Sequence, residues 1–109
     1  MKIGIIGAME VEVQSLVAFM KECGKVEEQK HSLLNFYEGN VYGVNVVVVK
    51  SGIGKVNAAL CTERLISDFG VTHVINTGIA GALQKGLRVF DVVVSKDALY
   101  HDVDATGFG

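Results

Sequence analysis

Lys2-Ile3-Gly4-Ile5-Ile6-Gly7-Ala8-Met9-Glu10-Val11-Glu12-Val13 decides the fold. Ile3, Ile5 and Ile6 form a β-branched run with no charge after Lys2, the pattern of a strand buried on both faces. Gly7 ends the run, and the small Ala8 lets the backbone pass close to whatever sits at the strand's carboxyl end. From Glu10 the apolar period changes, because Val13, Leu16, Val17 and Met20 follow an i, i+3, i+4, i+7 rule. A helix is therefore expected from about Glu10 to Cys23, with Gly24 at its stop. Acidic residues in its first turn suit the positive end of the helix dipole. A carboxylate at such a strand-to-helix junction points into the crevice where open α/β sheets hold their ligands. Glu10 and Glu12 are two apart, about 200° around a helix, so they cannot both face that crevice. The spacing leaves open which one does.

Outward from this stretch, Lys25 to Ser32 is polar and reads as an edge strand or a loop. Leu33 to Gly39 and Val41 to Val49 suggest a hairpin turning at Gly39-Asn40. Val46 to Val49 is continuous rather than alternating, so it too should be buried on both faces. Ser51-Gly52-Ile53-Gly54-Lys55 forms a turn, followed by a helix from about Val56 to Phe69 closed by Gly70. His73 to Asn76 is a third buried strand, ending in the turn Thr77-Gly78-Ile79-Ala80-Gly81. Ala82 to Arg88 is a loop or one helical turn, Asp91 to Ser95 a fourth strand, and Tyr100 to Gly109 has no clear period. Strands separated by helices imply parallel pairing through right-handed crossovers. The expected fold is α/β, a mostly parallel mixed sheet with flanking helices, in one domain over 1–109. Parallel strands bring the glycine turns and one carboxylate of the first helix to one edge, where backbone N–H groups can hold anions or sugar hydroxyls.

Composition narrows the partners. A net charge of −2 with interspersed signs leaves no basic stripe for nucleic acid. No apolar run approaches the roughly 18 residues of a membrane span, and with a strand at its start and no basic n-region visible, a secretory signal is not expected. Cys23 and Cys61 both fall on expected helices, where buried free thiols and a reducing cytoplasm are the simpler reading. The glycine turns complete neither phosphate motif. A P-loop needs glycine where Val49 stands and Ser or Thr where Val56 stands, and a dinucleotide fingerprint needs glycine at Lys2. His101-Asp102-Val103-Asp104 lacks a second histidine and i, i+4 spacing, so a hydrogen-bonded loop is expected there and no metal. Ser51 and Thr77 have no His or Lys placed by sequence to activate them.

Four blocks, in order and in register, carry a resemblance. Met1 to Met9 with Glu10 and Glu12, Lys50 to Val56, Asn76 to Gly81, and Val93 through Tyr100 to Asp104 and Phe108 resemble the 5′-methylthioadenosine/S-adenosylhomocysteine nucleosidases of the nucleoside phosphorylase-like family. The resemblance implies hydrolysis of the N-glycosidic bond without a cofactor, on a small nucleoside, by a homodimer or higher oligomer. It places Glu12 as the carboxylate that activates water. Met9 and Ile53 match positions lining the ribose and the 5′-alkylthio pocket. Ile79, Ala80 and Gly81 match the turn that passes the ribose and base, and Phe108 an aromatic that reaches into a partner's 5′ pocket. Ile79 stands where many members carry Ser, so one hydroxyl is absent. The family's chain continues past Gly109, where the acid that protonates the purine and the segment gripping ribose and base would follow. An N-terminal portion, inactive by itself, is the resulting expectation. The alternatives are a purine nucleoside phosphorylase, which would want an arginine near a glycine turn, and a non-catalytic oligomerising fragment.

Overall fold

The computed structural model describes residues 1–108. The chain forms two units, Met1–Ile79 and Ala80–Gly109. In the first, β1 (Lys2–Gly7), α1 (Glu10–Cys23), β2 (Val26–His31), β3 (Leu34–Val41), β4 (Val44–Lys50), α2 (Lys55–Ser67) and β5 (His73–Asn76) follow one another. Five strands form one sheet in the order β2-β3-β4-β1-β5. β1 pairs in parallel with both β4 and β5, while β2-β3 and β3-β4 are antiparallel, so the expected mixed α/β sheet is present. α1 spans the expected residues, and α2 begins and ends slightly earlier than its pattern suggested. Left-handed Gly70 (φ 64°) then donates its N–H to the Ile66 carbonyl at 3.1 Å and closes that helix.

Each helix covers one sheet face. Val13, Val17 and Met20 of α1 pack with Val46 and Val48, whereas Cys61 and Leu65 of α2 pack with Ile6, Phe36, Val47, Val49, Phe69 and Val71. This explains the uninterrupted Val46–Val49 run: alternate valines serve opposite cores, and all four are buried. Phe36 and Phe69 stack at 4.6 Å between ring centres. Cys61 is a fully buried free thiol, its pKa pushed up to about 11 by burial, and Cys23 is free and half-buried.

Three expectations are corrected. The β3-β4 hairpin turns at Tyr42-Gly43, both left-handed (φ 49° and 86°), not at Gly39-Asn40. Gly39 is instead a packing glycine: a Cβ there would stand 3.1 Å from the Met20 methyl and 3.2 Å from the Lys25 carbonyl oxygen. Asn40 still serves the turn, its Oδ1 accepting from the Gly43 N–H at 2.8 Å. β5 is exposed along its length rather than buried on both faces, because it pairs on one side only and neither helix core reaches it. Lastly, Asp91 to Ser95 forms no strand among the described residues, since nothing pairs with it in a ladder.

The second unit holds short local structure. The Arg88 and Asp91 backbones exchange a turn, with the Arg88 N–H on the Asp91 carboxylate at 2.8 Å. Asp104 accepts from the Thr106 N–H and hydroxyl at 3.0 and 2.7 Å, and these two donors hold its pKa down. The expected hydrogen-bonded loop is therefore built on Asp104, ahead of the 3-10 turn Thr106–Phe108. Among the described residues no helix is long and apolar enough to cross a membrane, and no three His, Cys, Asp or Glu side chains gather as a metal site requires.

Candidate active site

Parallel register aligns the carboxyl ends of three strands. Gly7 of β1 lies opposite Lys50 of β4, and Ile6 opposite Asn76 of β5. The turns that leave these strands are stitched together by backbone bonds: Ser51 N–H to the Gly7 carbonyl and Thr77 N–H to the Ile6 carbonyl, each at 2.9 Å. The Gly7, Ser51 and Thr77 backbones therefore meet at one edge, and α1 starts there.

Glu12 is the third residue of α1, and its carboxylate turns back to this edge. Oε2 accepts from the Met9 N–H at 2.9 Å, which is half of a capping box. Oε1 accepts from the Ile79 N–H at 3.3 Å, across a separation of 67 residues. The first bond is ordinary helix-start chemistry; the second ties the same carboxylate to the turn after β5. Two glycines make room for it. A Cβ on Gly78 would lie 2.7 Å from Oε1, and one on Gly7 would lie 3.0 Å from the Glu12 Cβ. Donation from the Met9 N–H, reinforced by the Ile79 N–H, outweighs partial burial and holds the Glu12 pKa below its ordinary value. The carboxylate is thus ionised at neutral pH, held by fixed donors.

Glu10 goes elsewhere. It is exposed and pairs with the Lys50 ammonium at 2.6 Å, beside the end of β4. The ambiguity left by the two-residue spacing is resolved: Glu12 faces the glycine turns, and Glu10 faces lysine and solvent.

Of the residues expected at the site, Met9, Glu12 and Ile79 are joined through the Glu12 carboxylate. Ile53 stands on the β4-α2 turn, at the same strand edge, and is largely exposed. Ala80, Gly81 and Phe108 belong to the second unit and are exposed there. Ser51 is buried and donates its hydroxyl to the Gly52 carbonyl at 2.9 Å, so it is a structural hydroxyl rather than an activated one. Asn57, not singled out by motif, donates its side-chain amide to the Ile53 carbonyl at 2.7 Å. An Asn in the first helical turn after two glycines was the signal that could have found it.

With this geometry in hand, the comparisons with known proteins are specific. The 5′-methylthioadenosine/S-adenosylhomocysteine nucleosidase of Exiguobacterium sp. is 51% identical over 109 residues, 100% of this chain and 46% of its own length. A crystal structure of the Colwellia psychrerythraea nucleosidase in complex with adenine matches at a TM-score of 0.90 and 49% identity, covering 100% of this chain and 44% of that one. The Neisseria meningitidis nucleosidase in complex with methylthio-immucillin-A matches at a TM-score of 0.91 and 44% identity, covering 99% and 46%. The chain thus spans less than half the length of these relatives. They bear out the resemblance that the four blocks carried. Residues 2–109 match the phosphorylase superfamily as a family, and the chain belongs to that superfamily.

Proposed function

We propose that this chain carries the water-activating half of a nucleosidase that hydrolyses the N-glycosidic bond of methylthioadenosine and S-adenosylhomocysteine. One observation carries the reading: the ionised Glu12 carboxylate, held by N–H groups of two different elements in a gap kept open by Gly7 and Gly78. Hydrolysis through an oxocarbenium-like transition state needs a carboxylate that takes a proton from water, and an acid that protonates the leaving base. In the proposed step Glu12 accepts the water proton as the water oxygen bonds to the anomeric carbon. The C–N bond breaks, and adenine leaves with a proton from an acid outside these 109 residues. Met9 and Ile53 line the ribose and 5′ side, Ile79, Ala80 and Gly81 pass the ribose and base, and Phe108 serves a partner subunit's 5′ pocket.

The phosphorylase alternative finds less support. A phosphate would meet the Glu12 charge in the crevice. Arg64, one of the two arginines, is in the last turn of α2, at the end remote from the glycine turn, and bonds Asp68 at 3.2 Å.

Adenine release from methylthioadenosine tests the reading. The 109-residue chain should release none alone. The full-length enzyme containing this segment should turn over, with Glu12→Gln costing roughly 10² to 10⁴ in rate while nucleoside binding survives. Glu10→Gln should leave the rate within a few-fold. An inactive Glu10→Gln beside an active Glu12→Gln would overturn the assignment.

A further inference from the structure

Ile53 is exposed, so packing does not hold its side chain in place. It also sits between two left-handed glycines, Gly52 (φ 84°) and Gly54 (φ 101°), the residues with the most backbone freedom. Such a turn would be loose unless something else fixed it. Two side chains do. On one side the buried Ser51 hydroxyl donates to the Gly52 carbonyl at 2.9 Å. On the other, the Asn57 amide reaches back to the Ile53 carbonyl at 2.7 Å, just ahead of α2's first ladder bond from Ala58 N–H to the Gly54 carbonyl. The Asn57 amide also packs over Gly52, where a Cβ would lie 3.3 Å from its Nδ2.

Resting on the nucleosidase reading and on Ile53 facing the 5′ substituent, we propose that Asn57 is a positioning residue for substrate specificity. By pinning the Ile53 carbonyl it fixes where the isoleucine side chain projects, and so how well an apolar 5′-alkylthio group is received relative to a 5′-hydroxyl. Asn57 touches no reacting atom. Its effect passes through Ile53 and belongs in binding rather than in the chemical step.

Asn57→Asp separates this role from helix stability. A carboxylate in the first turn of α2 favours the helix but cannot donate to the Ile53 carbonyl. In the full-length enzyme, Asn57→Asp and Asn57→Ala should raise KM for methylthioadenosine about three- to tenfold, the loss of one hydrogen bond, with kcat unchanged. KM for adenosine, which has a 5′-hydroxyl, should not move, and Asn57→Asp should melt no lower than the parent. Calorimetric binding of both nucleosides in a Glu12→Gln background gives the same comparison without turnover. Equal effects on the two nucleosides, or none on either, would overturn the proposal. So would a Glu12→Gln protein that binds methylthioadenosine no better than adenosine. Failure of the parent to release adenine would instead count against the nucleosidase reading, while the binding comparison still judges Asn57.

Discussion

Glu12 shows how one side chain can satisfy a local rule and a distant one together. Its bond to the Met9 N–H would exist in many helices that begin with an acid at this position. The bond to the Ile79 N–H requires the turn after β5, and it turns a helix cap into a fixed charge at a strand edge. The consequence for stability has a definite sign. The Glu12 pKa is depressed below its ordinary value of 4.5, so the stabilisation is fully present above that pH and is lost as pH falls through the lower folded value. Thermal melting of the chain and of Glu12→Gln between pH 7 and pH 3 should show a constant gap above pH 4.5 that closes on acidification. The depressed Asp104 carboxyl is present in both proteins and cancels from the comparison. A gap that widened in acid would mean that the carboxyl is held protonated, and would remove it as an ionised base. At Ile79 the backbone N–H, which every residue but proline supplies, makes the contact. The Glu12 bond is therefore independent of the isoleucine side chain at this position.

Among the elements, what was legible in the sequence followed from period and burial. α1 is visible from Val13, Leu16, Val17 and Met20, and β4 from four successive valines, because both meet helices and sheet in the regular way. Glu12 against Glu10 was not legible from spacing, since the choice depends on Lys50 and Ile79, 40 and 67 residues away. Gly39 misled for a different reason. Glycine before asparagine signals a turn, but this glycine clears space for Met20 beneath the sheet, and the true turn uses Tyr42 in a left-handed conformation that its residue type disfavours. Gly39→Ala tests that account. A methyl at 3.1 Å from Met20 and 3.2 Å from a backbone carbonyl should overpack the α1 face and cost about 1–3 kcal/mol. Urea denaturation would measure it as a lower midpoint with unchanged slope. A neutral result would mean that Met20 and the Lys25 backbone give way without strain.

At the scale of the sheet, β5 is an edge strand among the described residues. Parallel strands are ordinarily covered on both faces. β5 has one ladder, to β1, and Val74 and Ile75 are 40% and 48% exposed. A strand edge left open in this way is a template for another chain, and apolar residues beside it add a reason to associate. α1 and α2 saturate the two faces around β1 and β4, so neither is available to fold over β5 without uncovering a core. The purified 109-residue chain should therefore self-associate, with a sedimentation coefficient that rises with concentration. Val74→Lys together with Ile75→Lys should shift it toward monomer, because charge on an edge strand discourages pairing. Both side chains are already substantially exposed, so the double variant should keep most of the chain's stability. Binding of a complementary segment from the unmatched half of the relatives should suppress the same self-association if it pairs with β5. A chain that sediments as a monomer at every concentration, with and without the two lysines, would show that the open edge is inert.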